Sequence, residues 1–288
     1  MKTLILCTLV ALSMPASARP SWESQASTTD EPIDLFTATM TPNMPTATML
    51  YKGDWHYEIS HRFFPPLKEG FDANYGFDGP ANMRTAVGYG VSNALTVTLG
   101  RSNVLDNYDL QIKYRLWDMD HPSLPSGIAA RGGIAWNAEM PPIVDRGRAD
   151  ESNFQYYGQL VYNALLFDGK LGIGLVPSYL YNSAIFSVEK QYTFTLGNYY
   201  QYYLNDLWGA WLEYNPALSG YQGILQPGET GRSYDSLSFG TSIETGGHVF
   251  YIFVTNNTRL NPAQYLLGAP VDASPKNWRL AFGITRHL

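Results

Sequence analysis

The sequence predicts an all-β protein, a transmembrane antiparallel β-barrel of about twelve strands with short periplasmic turns and longer extracellular loops. Three observations lead there. Apolar and polar residues alternate with period two along much of the chain, which is the strand signature. Tight turns and long connections follow one another in alternation. The first eighteen residues read as an export address.

That address is Met1–Ala18, a single Lys followed by an apolar run and then Ala16-Ser17-Ala18, a small-residue cleavage site. The apolar run is shorter than the roughly 20 residues that a membrane helix needs. Cys7, the single cysteine of the chain, lies within it, so a chain cleaved after Ala18 has none. A cysteine-free exported chain with this type of signal points to the envelope of a Gram-negative bacterium. Residues 19–50, rich in Ser, Thr, Pro and Met, read as an extended N-terminal leader without a core of its own, and residues 51–288 as one barrel domain.

Alternation is clearest in four segments. Trp55, Tyr57, Ile59 and Phe63 alternate with His56, Glu58, Ser60 and Arg62; Met83, Thr85, Val87 and Tyr89 alternate with Arg84, Ala86 and Gly88. Tyr108, Leu110, Ile112 and Tyr114 alternate with Asp109, Gln111 and Lys113, and Trp278, Leu280, Phe282 and Ile284 with Arg279, Ala281 and Gly283. The same pattern places twelve strands near 54–63, 83–91, 94–102, 107–117, 126–137, 153–166, 170–181, 190–204, 207–215, 234–245, 248–256 and 276–287. Ser92-Asn93, Asp168-Gly169, Asn205-Asp206 and Gly246-Gly247 supply tight turns, because these residues tolerate a left-handed backbone. The Pro-containing link 118–125 is the longer exception. The connections 64–82, 138–152, 182–189, 216–233 and 257–275 are long.

A soluble sandwich could use such strands with the apolar face in a core. A membrane barrel uses them with the apolar face in lipid and the polar face in the lumen. Tyr and Trp near the ends of the apolar rows, small residues mixed with charges on the polar rows, and short turns collected on one rim all favour the barrel.

Composition narrows the function. Of 288 residues 45% are hydrophobic and 15% charged, below the roughly 25% charged of soluble domains. A formal net charge of −6 argues against a nucleic-acid partner held by a basic surface. No G-x-S-x-G, H-E-x-x-H or Walker A sequence occurs, and the five His are scattered, so neither a cofactor nor a metal centre is expected. The one enzyme class weighed is an outer-membrane phospholipase with Ser102 and His61. Their strands are two apart, roughly 10 Å at ordinary strand spacing, whereas a nucleophile and its base need about 3 Å. No enzyme is therefore expected.

Ser60-His61-Arg62-Phe63, Ala81-Asn82-Met83-Arg84, Tyr89-Gly90-Val91-Ser92-Asn93, Gly100-Arg101-Ser102, Lys113-Tyr114-Arg115-Leu116 and Gly283-Ile284-Thr285-Arg286 resemble a bacterial family of unknown function. That resemblance implies an outer-membrane β-barrel and brings no catalytic or binding residues with it.

The polar rows carry the remaining information. Glu58, Arg62, Arg84, Asp109, Lys113, Arg115 and Arg131 fall on predicted strands one to five, whereas the later rows are mostly neutral. Two readings follow. The favoured function is a narrow channel or binding barrel for a small polar or anionic solute, with these residues lining the lumen. The alternative is a non-conducting structural or partner-binding barrel with a salt-bridged interior. Outer-membrane lipid and, during insertion, the barrel-assembly machinery are the expected partners; a protein partner is not specified. Asn261-Pro262 with Gly268 further predicts a short helix in the last long loop.

Overall fold

A computed structural model describes residues 33–142, 144–187, 189–223 and 231–288. The predicted signal peptide, Met1–Ala18, lies outside the described residues.

The strands are β1 Trp55–Pro66, β2 Ala81–Ser92, β3 Leu95–Ser102, β4 Asn107–Met119, β5 Ser126–Asn137, β6 Phe154–Leu166, β7 Leu171–Tyr181, β8 Tyr192–Tyr203 and β9 Trp208–Asn215. They continue with β10 Ala217–Gly220, β11 Ser236–Thr245, β12 His248–Thr255 and β13 Arg279–His287. Sequential neighbours pair antiparallel from β1 to β9, β9 pairs with β11, and β13 returns to pair with β1. The short β10 extends β9 past Pro216 and pairs with β8. The result is a closed barrel of twelve antiparallel strands. At the seam His56 sits opposite His287 and Arg62 opposite Ala281. Closure leaves no unpaired sheet edge, which a lipid environment requires of every spanning sheet.

Each strand follows the predicted alternation. Tyr57, Val87, Leu99, Leu110, Ile112 and Leu160 face outward, and Glu58, Arg84, Asp109, Lys113 and Gln159 face inward and are buried. Aromatic pairs mark both rims. Trp55 and Tyr89 sit 4.6 Å apart at the short-turn rim, and Tyr108, Trp136 and Phe154 stack in series at 5.8 and 6.2 Å at the long-loop rim. Rings that are apolar in body and polar at one end favour a membrane–water interface.

The lumen is filled from both rims. From the short-turn rim, residues 33–50 run into the barrel, reverse at Thr41–Met44 and run back to the start of β1. Thr41 N donates to Met44 O at 2.9 Å and Thr46 N to Thr39 O at 3.1 Å, so this segment is a hairpin. Thr46 Oγ1 donates to Ala38 O at 2.6 Å and Phe36 N to Thr48 Oγ1 at 3.1 Å, closing its two arms on each other. Residues 19–50 read from the sequence as an extended N-terminal leader; within their described part, 35–39 and 41–50 are buried inside the barrel, where the hairpin's polar groups find partners on the inward rows. From the opposite rim, the β12–β13 connection folds inward, with residues 256–269 buried.

The predicted helix in that connection is α1, Pro262–Tyr265. Asn261 precedes it without capping it, because the Asn261 side chain is drawn to the wall, where it accepts from Arg84 Nε at 2.7 Å. Met44 at the hairpin tip and Tyr265 of α1 belong to one apolar cluster, so the two inserts meet inside the barrel.

The wall is shaped for the hairpin. A Cβ at Gly172 of β7 would lie 2.7 Å from the Phe36 ring, and one at Gly197 of β8 would collide with Met44 Sδ. Gly172→Leu should therefore expel Phe36 and lower stability by about 1–3 kcal/mol in urea unfolding followed by Trp fluorescence. Gly147→Ala, where a Cβ meets nothing within 4 Å, should stay within about 0.5 kcal/mol of the parent.

Candidate functional site

The candidate site is the charged stretch of lumen where the hairpin meets β1, β2, β4, β5, β9 and β11. On β1 and β2, Glu58 accepts from Arg84 Nη1 and lies 3.4 Å from His56 Nε2. Arg84 Nη2 stands 3.8 Å from Asp109 on β4, and Asp109 also accepts from Gln111. Arg84, Glu58 and Asp109 thus form an internal ion cluster. The cluster is continued toward the long-loop rim by Asn261, whose amide donates to Asn107 O at 3.1 Å.

The other cations behave differently. Lys113 Nζ donates to three hairpin carbonyls, Thr39 O at 2.9 Å, Thr46 O at 3.1 Å and Thr48 O at 2.6 Å. Arg62 donates to Pro42 O at 3.1 Å and Asn43 Oδ1 at 2.9 Å at the hairpin tip, and its guanidinium lies 4.5 Å above the Phe253 ring. Arg131 donates to Gln159 Oε1 at 2.8 Å and Gln111 Oε1 at 3.1 Å. Among the described residues, Arg62, Lys113 and Arg131 make no ion pair with a carboxylate. Arg115, expected in the lumen with them, keeps the inward parity opposite the buried Ala129 but lies at the short-turn mouth, where it pairs with Asp118 at 2.8 Å with its side chain 16% exposed.

Two carboxylates from the far wall complete the set. Glu213 on β9 accepts from the Thr41 hydroxyl, Asn43 Nδ2 and Asn43 N, the last at 3.2 Å. Glu244 on β11 accepts from the Thr37 hydroxyl and from Gln201 Nε2 at 2.7 Å. Neutral anchors add to these: Tyr199 donates to Pro45 O at 2.9 Å, and Asn163 Oδ1 accepts from Ala47 N at 2.6 Å. Hydrogen bonds with one ionised partner are roughly twice as strong as neutral ones. The four charged groups on the hairpin therefore carry much of its polar attachment.

Beside Lys113 the filling is incomplete. A polar cavity of about 20 Å³ remains between Lys113, Arg131, Glu58, His56, Thr98 and the hairpin's Thr39 and Met40. That is space for about one water molecule. No cluster of three or more His, Cys, Asp or Glu able to hold a metal occurs among the described residues. Ser102 is fully buried on the lumen side and donates to Gln264 at 3.2 Å, while His61 faces outward and stacks on Phe282 at 4.5 Å. They stand on opposite faces of the wall and form no Ser–His pair.

The sequence reading missed the hairpin. Its signal is the repeated tetrad Thr37-Ala38-Thr39-Met40 and Thr46-Ala47-Thr48-Met49 on either side of Thr41-Pro42-Asn43-Met44-Pro45, two alternating arms around a Pro/Asn turn.

Residues 36–288 match the family described as a membrane-bound β-barrel domain, DUF5777. The chain belongs to this family. The matched span opens at Phe36, so the family's domain includes the hairpin as well as the wall. No curated protein matches the sequence. Among solved structures, the chain is similar to the NanC porin, at 9% identity and a TM-score of 0.49 over 80% of this chain and 97% of that one. It is likewise similar to the KdgM porin, at 12% identity and 0.45 over 81% and 98%. Outer membrane phospholipase A from Escherichia coli matches at 13% identity and 0.40 over 84% and 97%. At these identities the likeness is one of fold alone.

Glu213→Leu removes the acceptor of Asn43 N and leaves the Thr41 hydroxyl and Asn43 Nδ2 only Met44 O at 3.0 Å and Ser238 Oγ at 3.4 Å, and should cost about 2–4 kcal/mol in urea unfolding. Arg115→Gln, at the solvated rim, should cost less than about 1 kcal/mol.

Proposed function

We propose that this member of the family is an outer-membrane barrel that is closed at rest, its lumen occupied by its own N-terminal hairpin and its last long loop. The observation that carries this reading is the burial of residues 35–50 inside the barrel, tied to Lys113, Arg62, Glu213 and Glu244. The predicted signal peptide and the lipid-compatible outer face support export to the outer membrane, with insertion by the barrel-assembly machinery. The hairpin then approaches from the periplasm, since both of its arms reach the short-turn rim.

A constitutively open channel needs a continuous water path, whereas the hairpin and residues 256–269 stand in this lumen. A structural or partner-binding barrel with a filled interior therefore fits better than an open pore. The test is planar-bilayer recording on purified mature protein refolded in detergent. The expected result is no steady conductance at moderate voltage; stable open steps in the unmodified protein would contradict the closed state.

A further inference from the structure

The hairpin stands where a charged solute would stand. Arg62, Lys113 and Arg131 are buried, and each donates its hydrogen bonds to neutral oxygens: the carbonyls of Thr39, Thr46 and Thr48 for Lys113, Pro42 O, His61 O, Phe282 O and Asn43 Oδ1 for Arg62, and two Gln side chains for Arg131. A buried cation gains more from an anion than from a carbonyl, because charge-assisted pairing offsets its lost hydration. Glu58 and Asp109, the nearest carboxylates on this wall, are already engaged by Arg84. The unfilled cavity lies on the same side, between Lys113, Arg131 and Glu58 and against the hairpin's incoming arm at Thr39 and Met40. Movement of that arm therefore enlarges a space lined by two cations and by one carboxylate, Glu58, which Arg84 already pairs.

The hairpin is also attached in a way that permits withdrawal. Both arms end at the short-turn rim, so it can retract toward that side without threading, while residues 256–269 still close the other mouth. On the far wall it is held through Glu213 and Glu244 by two hydroxyls, one side-chain amide and the Asn43 backbone N–H, donors that water can replace.

We propose that the lumen beneath the hairpin is a binding site for a small oxyanion of the carboxylate class, held by Lys113 and Arg131 and reached from the short-turn rim when the hairpin withdraws. The proposal rests on the closed-at-rest reading and adds to it a ligand class and a direction of access. Hairpin and anion compete for Lys113, so an anion that binds only the withdrawn form raises that form's population by mass action.

The experiment uses the mature chain, which has no cysteine of its own, refolded in detergent with Thr46→Cys as reporter. Thr46 is 1% exposed, so maleimide reaches the thiol only when the hairpin is out. The labelling rate is measured with and without sodium succinate, and with a size-excluded polyanion at equal ionic strength. Succinate is expected to speed labelling severalfold and the polyanion to leave it unchanged. In an added Arg131→Gln background, where no hairpin contact is removed, the ratio of rates with and without succinate should fall to one. Labelling indifferent to succinate, equal acceleration by the polyanion, or a ratio unchanged by Arg131→Gln would each overturn the anion site. Labelling at the rate of a free thiol without any anion would instead overturn the closed-at-rest reading. Ala47→Cys is a second reporter on the same arm should Thr46→Cys not refold.

Discussion

Every strand of this barrel presents a polar row to an interior occupied by the hairpin and the last long loop, and those groups must be hydrogen-bonded to something. A buried donor or acceptor without a partner costs about 1–3 kcal/mol, and an uncompensated charge costs more. Lys113, Arg62, Glu213 and Glu244 find their partners on a polypeptide hairpin instead of on water or on one another. The hairpin in turn is a strip of Thr, Asn and free backbone carbonyls, a poor core-former that is well suited to this lining. Wall and insert each satisfy the other, and the glycine notches at Gly172 and Gly197 give the fit its shape.

The same constraint separates the two sides of the lumen. On β1, β2 and β4 the charges are partly self-compensated through Glu58, Arg84 and Asp109. Lys113 and Arg131 are left with neutral oxygens, and Glu213 and Glu244 with neutral donors. The interior is therefore neither a salt-bridged plug throughout nor an open basic conduit. It is a divided surface whose halves are joined by a neutral strand pair, and the small cavity lies where that joining is least complete.

The wall was readable from the residues because lipid on one side and a polar lumen on the other impose a strict period of two. All twelve predicted strands coincide with observed ones within a few residues, and the inward placement of Glu58, Arg62, Arg84, Asp109, Lys113 and Arg131 follows from the same parity. Arg115 keeps the same parity, opposite the buried Ala129, and the β4 bulge breaks the period only after it, at the rim. The hairpin escaped this reading. Its arms pair with the wall through side chains and isolated carbonyls rather than a sheet ladder, so they carry no apolar stripe. The inward turn of residues 256–269 is likewise a tertiary fact: Asn261 reads as a helix cap, yet its side chain is claimed by Arg84 and Asn107.

The account stands or falls on the hairpin being part of the folded barrel. Amide hydrogen exchange on the detergent-folded mature protein, resolved by peptide, tests this directly. Residues 35–50 are predicted to exchange as slowly as the strand segments of β4 and β8, since their carbonyls and amides are tied to buried partners. Complete exchange of that segment on the timescale of an unstructured peptide, with the strands still protected, would contradict it.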